Sequence, residues 1–251
     1  MNELYEVLAP FYADFNSDVS YPRMASYVQK CFSGFFAGEV KDVLDLGCGS
    51  GNMTFPLLSL GYGMIGVDAS EEMLAEARMR DADNSVLWLC QDMREFELYG
   101  TVEGVVSTLD CVNHLLTRKD VVSCFSLVHN YLVPGGIFVF DVNTPYKFRE
   151  IYGQNSYVLE NDDAFCVWQN FFSPRSGRCH FAVDLFERLS SGAYQRRSAD
   201  REEQMYTERQ LRNILTECGF TLLSVTDDYT DAPPSELTER LTFVARAEKE
   251  M

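Results

Sequence analysis

Between Val43 and Gly51 the chain reads Val-Leu-Asp-Leu-Gly-Cys-Gly-Ser-Gly, and no other stretch limits the fold so tightly. A short apolar run ends in an acid, breaks into alternating glycines, and passes into Asn52 to Leu60, which has the composition of a helix opening. Strand, glycine-rich turn and helix in that order are the layout by which a parallel α/β sheet holds a nucleotide-like ligand. Glycine lacks a Cβ, so the turn can adopt backbone angles closed to other residues and a ligand can lie against the main chain. The following helix N-terminus offers free N–H groups and a positive dipole end. The spacing departs from the dinucleotide fingerprint Gly-x-Gly-x-x-Gly/Ala: counted from Gly47, its last small residue would be Asn52.

Further strands follow, and each ends in polar residues. Gly63 to Asp68 is apolar until its final acid, and a carboxylate at the tip of the second strand of a βαβ unit suits a ribose diol, since it offers two acceptors and no donor. Ser70 precedes Glu71-Glu72 as an expected N-cap with acids in the first helical turn. Val86 to Cys90 leads to Asp92-Met93, Gly104 to Leu109 leads to Asp110-Cys111-Val112-Asn113-His114, and Gly136 to Asn143 follows a turn at Leu132-Val133-Pro134-Gly135-Gly136.

The Asp45-x-Gly47-x-Gly49-x-Gly51 spacing resembles the cofactor loop of class I S-adenosylmethionine-dependent methyltransferases. Gly66-Val67-Asp68-Ala69-Ser70-Glu71-Glu72-Met73-Leu74 resembles the same family's second-strand turn, and the Pro134-Gly135-Gly136 turn recurs there as well. The likeness spans roughly residues 40 to 145. It implies S-adenosyl-L-methionine as cofactor: Gly47 and Gly49 around its methionine end, Asp45 toward its ammonium, Asp68 on the ribose, and Asp92 and Met93 at the adenine. Ala69, Met73 and Leu109 complete the expected cofactor set. Tyr5-x-x-x-Ala9-x-x-Tyr12 resembles the N-terminal segment that folds over the cofactor in many small-molecule members, with Tyr12 touching cofactor or substrate.

The fold expected is α/β: a seven-stranded, mostly parallel sheet with helices on both faces, its last strand antiparallel, plus a small antiparallel β insertion. Residues 1–37 read as a helical lid, and Met24 to Phe36 is amphipathic. Residues 38–145 and 207–251 read as a Rossmann-like core. In this core Thr207 to Gln210 starts a helix with a capping arrangement, Gly219 closes it, and Phe220 to Thr226 and Arg240 to Ala247 form the last two strands. Residues 146–206 read as an antiparallel cap of two or three strands, from Phe165 to Phe172 and Cys179 to Leu189, inserted after the fifth core strand. Such a cap falls over the strand C-terminal ends, where open α/β sheets bind ligands.

Composition narrows the partners. Lys+Arg number 21 against Asp+Glu 38, a formal net charge of −17 at pH 7, which repels phosphate backbones and disfavours nucleic acid. The Asn/Asp-Pro-Pro-Tyr signature of amino-group methylation in nucleic acids is absent after strand four, where Ser107-Thr108-Leu109-Asp110-Cys111 stands. Eight cysteines without C-x-x-C spacing read as reduced thiols in a cytoplasmic setting, and three histidines are too few for a His-based metal cluster, so no metal is expected. No apolar run is long enough for a membrane span, and the N-terminus lacks the pattern of a secretory leader.

Methyl transfer from a sulfonium is an in-line displacement, so the protein mainly positions the acceptor and excludes water. The expected acceptor is a small molecule. His114, just past strand four, is the candidate general base, needed only if the acceptor loses a proton during attack. Asp110, Asn113 and Asn143 are candidates to orient an acceptor amine or hydroxyl, and Trp168, Phe171 and Arg197 are candidate acceptor contacts from the cap. The expected assembly is a monomer or homodimer. Two alternatives stay open at this level: a nicotinamide-dependent oxidoreductase, and a non-catalytic cofactor-binding protein on the same fold.

Overall fold

The computed structural model describes residues 19–249. Five parallel strands, β1 (Asp42–Leu46), β2 (Gly63–Asp68), β3 (Val86–Cys90), β4 (Val102–Ser107) and β5 (Leu132–Asn143), form one sheet with β10 (Phe220–Asp227) and β11 (Arg240–Ala247). The order is β10-β11-β5-β4-β1-β2-β3. The last strand, β11, lies between β5 and β10 and is antiparallel to both. The α-helices packed on it are α1 (Tyr21–Phe35), which precedes β1, and α2 (Thr54–Ser59), α3 (Glu71–Arg80), α4 (Arg118–Tyr131) and α5 (Glu208–Glu217).

Both faces of the sheet are covered, which is why its strands read as near-continuous apolar runs. Side chains alternate between two cores. Leu44, Val105, Phe138, Phe140 and Phe243 pack with Phe125 of α4 and Leu211 and Ile214 of α5. Val43, Val106, Val139 and Val244 pack with Met24, Val28 and Phe32 of α1 and Leu57 of α2. Helix starts are set locally: Thr117 with Asp120 and Thr207 with Gln210 are complete capping boxes. One boundary differs from the sequence reading. β5 begins at Leu132, so the Pro134-Gly135-Gly136 turn lies inside a strand, where Gly135 takes φ +78 and the pairing with β4 shifts register between Val102 and Gly104.

A second sheet, ordered β6-β7-β8-β9, comprises β6 (Ser156–Glu160), β7 (Ala164–Ser173), β8 (Arg178–Arg188) and β9 (Tyr194–Gln204), all antiparallel. It has four strands where the sequence suggested two or three. β9, Tyr-Gln-Arg-Arg-Ser-Ala-Asp-Arg-Glu-Glu-Gln, has no apolar alternation, and ion pairs such as Arg196–Asp184 and Arg197–Glu187 link it to β8 instead. This cap is stitched to the core at the strand tips. Asn143 N, at the end of β5, donates to Asn113 Oδ1 (2.9 Å), and Asn113 Nδ2 donates to the Gln204 carbonyl of β9 (2.9 Å).

Candidate functional site

A cavity of about 670 Å³ opens at the C-terminal ends of the parallel strands. Its floor comes from the glycine loop (Gly47, Cys48, Gly49, Ser50), from Asp68, Ala69 and Met73, and from Asp92, Met93 and Leu109. Its opposite wall is Arg178 of β8 with Asp200, Arg201 and Glu202 of β9. Tyr21 of α1, Asn52, Gln91 and His114 also line it.

The loop holds its shape through its own backbone. Gly47 adopts φ +82, and a Cβ there would stand 2.6 Å from Cys111 Sγ, so both the angle and the space demand glycine. Gly47 N and Cys48 N donate to the Val67 carbonyl at 2.8 and 3.0 Å, tying the loop to β2. Asp68 completes the tie: Oδ2 accepts from Gly49 N (2.8 Å) and Oδ1 from Ser70 N (2.9 Å). Burial raises the Asp68 carboxyl above its ordinary value, against those two backbone bonds and the Arg201 charge.

Asp45 lies beneath the loop, fully buried, and is not on the cavity wall. Its Oδ2 accepts from Thr54 Oγ1 (2.6 Å), and Oδ1 is buried with no hydrogen-bond partner. Burial pushes its pKa up to about 7. An orphaned carboxylate oxygen under a glycine loop suits a cationic group or a bridging water, and so fits a cofactor ammonium. Asp92 is held by Arg94, whose Nε and backbone N donate to Oδ1 at 2.9 and 2.8 Å; the guanidinium keeps this carboxyl below its ordinary value, ionised and able to accept. Tyr12 lies outside the described residues.

At the far end His114 is partly buried, its side chain 18% exposed. Burial pulls its pKa well below the ordinary value and the Arg201 charge adds to this, so the imidazole is held neutral, with one ring nitrogen unprotonated but its basicity weakened. Its Nδ1 stands 3.9 Å from Glu203 Oε1 and its Nε2 4.0 Å from Asp110 Oδ2. Burial pushes Glu203 up to about 8, with the Asp110 charge adding to the rise. Ligand atoms of Asp110, His114 and Glu203 lie within 4.8 Å of one another, as a metal site would need. Protein cations already supply the balancing charge there: Arg240 Nη2 is 3.1 Å from Asp110 Oδ1, and Arg201 and Lys147 both act on Glu203.

Of the sequence candidates, Gly47, Gly49, Asp68, Ala69, Met73, Asp92, Met93, Leu109 and His114 come together around the cavity. Asp110, Asn113 and Asn143 stand behind it, joining cap to core: Asn143 Nδ2 donates to Tyr152 Oη (3.1 Å) and Glu203 Oε2 (3.4 Å). Trp168 packs edge-on to Phe181 inside the cap, Phe171 is 47% exposed beside His180, and Arg197 pairs with Glu187 at 3.2 Å. None of these three lines the cavity. Sequence reasoning missed the β9 wall and Glu203; the only available signal was a run of charges in a segment flanked by turns.

Residues 43–136 match a methyltransferase domain family. Over 249 residues the chain is 31% identical to the candidate methyltransferase YqeM of Bacillus subtilis (strain 168), covering 98% of each. The chain belongs to the class I S-adenosylmethionine-dependent methyltransferases. An S-adenosylmethionine-dependent methyltransferase of Clostridium acetobutylicum ATCC 824 has a similar structure, with TM-score 0.87 and 27% identity over 98% of this chain and 100% of that one. The amino pentose methyltransferase CalS10 of Micromonospora echinaspora shares the fold, with TM-score 0.74 and 21% identity over 94% and 95% of the two chains. Membership in the methyltransferases replaces the nicotinamide-dependent alternative, in keeping with Asn52 where that fingerprint needs a small residue. No helix among the described residues is long and apolar enough to cross a membrane.

Proposed function

We propose that this methyltransferase moves the methyl group of S-adenosylmethionine to a small-molecule acceptor enclosed between the glycine loop and strand β9. The observation that carries this is the cavity itself. At about 670 Å³ it falls in the range of small-molecule sites, roughly 300–1,000 Å³, and the cap closes one side of it. CalS10, an amino pentose methyltransferase, has the same fold.

When bound, the cofactor supplies a methyl group on a sulfonium, which needs no further activation. Asp68 would accept from the ribose hydroxyls, Asp92 would accept from the adenine amino group with Met93 against the ring, and Asp45, beneath the loop, would reach the ammonium through water. Gly47 and Gly49 let the methionine end lie against the main chain, with Ala69, Met73 and Leu109 enclosing the rest. The β9 wall excludes water, which strengthens every polar contact inside. His114, neutral and facing the cavity, takes the proton of an acceptor amine or hydroxyl as the new bond forms. Asp110, Asn113 and Asn143 hold the cap against the core around it. The surplus of acidic residues works against a nucleic-acid acceptor.

The test is formation of S-adenosylhomocysteine from S-adenosylmethionine with the low-molecular-mass fraction of a cell extract, followed by isolation of the methylated product. His114→Ala is expected to lower kcat on that acceptor by at least ~100-fold while leaving cofactor affinity unchanged. Turnover with the nucleic-acid or protein fraction alone would overturn the small-molecule reading, and full activity in His114→Ala would remove the base.

A further inference from the structure

Strand β4 ends in a turn of unusual backbone. Leu109 (φ +57) and Asp110 (φ +58) are consecutive left-handed residues, and neither is glycine. Each such residue is disfavoured by roughly tenfold or more because its Cβ crowds the following carbonyl. The turn matters to the cavity: Thr108, Leu109 and Cys111 all line it, and Cys111 Sγ lies between the Thr108 carbonyl (3.0 Å) and the Gly47 carbonyl (3.4 Å), bridging turn and glycine loop. A change in this turn therefore reaches both the cavity wall and the glycine loop.

One buried side chain clamps it. Asp141, fully buried on β5, accepts from Leu109 N through Oδ2 and from Asp110 N through Oδ1, both at 2.7 Å. These two bonds orient the peptide groups of both left-handed residues. The carboxylate is completed from the neighbouring strand and its connection to β10: Tyr229 Oη donates to Oδ2 and Arg240 Nη1 to Oδ1. Each oxygen thus receives two donors, and the buried charge has a guanidinium partner, the condition under which a buried carboxylate is tolerable. Arg240 Nη2 also reaches Asp110 Oδ1 at 3.1 Å, pinning the turn a second time.

We propose that Asp141 is a positioning residue for cofactor binding: it holds the Leu109-Asp110 turn in its left-handed form and thereby keeps Leu109 and the Cys111–Gly47 contact in place at the cavity. This rests on the reading of the cavity as the S-adenosylmethionine site.

The test is isothermal titration of the full chain with S-adenosylhomocysteine. Wild type comes first; if it does not bind, the cofactor reading of the cavity fails and takes this proposal with it. With wild-type binding in hand, Asp141→Asn is expected to weaken affinity by about tenfold or more while still melting cooperatively, since one strained peptide loses its acceptor. Adding Asp110→Gly to that variant is expected to recover part of the loss: glycine takes φ near +58 without a clash, while the Arg240 bond to Asp110 Oδ1 is given up. A purely structural carboxylate would give no such recovery, so a loss that glycine does not repair overturns the proposal, as does unchanged affinity in Asp141→Asn. Should Asp141→Asn fail to fold, Tyr229→Phe removes one donor and leaves the charge pair. A loss of a few-fold that Asp110→Gly partly repairs is expected there, and unchanged affinity would refute the idea.

Discussion

Replacing Asp68 by alanine is the sharpest single perturbation of the cofactor site. Its carboxylate has about four lone-pair positions. Two are used, by Gly49 N at 2.8 Å and Ser70 N at 2.9 Å, which leaves one on each oxygen for the two ribose hydroxyls. A hydrogen bond to a charged group contributes ~1.5–3 kcal/mol, so two amount to ~3–6 kcal/mol. At ~1.4 kcal/mol per decade the affinity for S-adenosylmethionine should fall by at least ~100-fold. The lost bond to Gly49 N loosens the glycine loop and acts in the same direction. Isothermal titration measures the change, and a thermal melt establishes that the variant is folded. Asp68→Asn separates the two contributions, since its amide oxygen can still accept from one backbone N–H but cannot serve both hydroxyls. A folded Asp68→Ala protein whose Kd stays within ~3-fold of wild type would refute the ribose assignment.

Asp45, raised to about 7 by burial against a value near 4 in the unfolded chain, makes a stability contribution that is full below pH ~4 and lost as the pH rises through about 7. Asp45→Asn should flatten that decline in denaturant melts between pH 4 and 8, while weakening S-adenosylmethionine binding at neutral pH; a decline unchanged by the substitution would count against the raised carboxyl. In the wild type, an ammonium near Asp45 favours its ionised form, so affinity should rise from pH 5 to 7 with proton release at pH 6, detectable by titration in buffers of different ionisation enthalpy. Gly47→Ala places a methyl 2.6 Å from Cys111 Sγ at φ +82, so it should cost ~1–3 kcal/mol of stability and at least ~10-fold in cofactor affinity; wild-type values for both would contradict the loop geometry.

What could be read from the sequence follows from where the information lies. β1, β2, β4 and β5 are largely buried, so each announces itself as an apolar run, and the glycine loop and Asp68 sit within a few residues of those runs, as Asp92 does of the apolar run of β3. Local order was enough to place them. β9 is different: it is polar almost throughout and mostly exposed, and its register comes from ion pairs with β8, which no periodicity reveals. The cavity wall it contributes was therefore invisible. Glu203 meets His114 only because the cap folds back onto the 3₁₀ turn Cys111–His114. The aromatic residues Trp168 and Phe171 stand out in sequence, yet one packs inside the cap and the other is half exposed and does not line the cavity. The left-handed Leu109-Asp110 turn leaves little trace in composition, since aspartate tolerates that angle but leucine gives no sign of it; its cause, Asp141, lies in the next parallel strand.

The account stands or falls on which ligand the glycine loop accepts. Isothermal titration of the purified chain with S-adenosylmethionine, and with NADH beside it, asks that question directly. The account predicts saturable binding of S-adenosylmethionine, lost in Asp68→Ala, and no heat from NADH. A folded protein that binds NADH, or that gives no heat with S-adenosylmethionine, would contradict it.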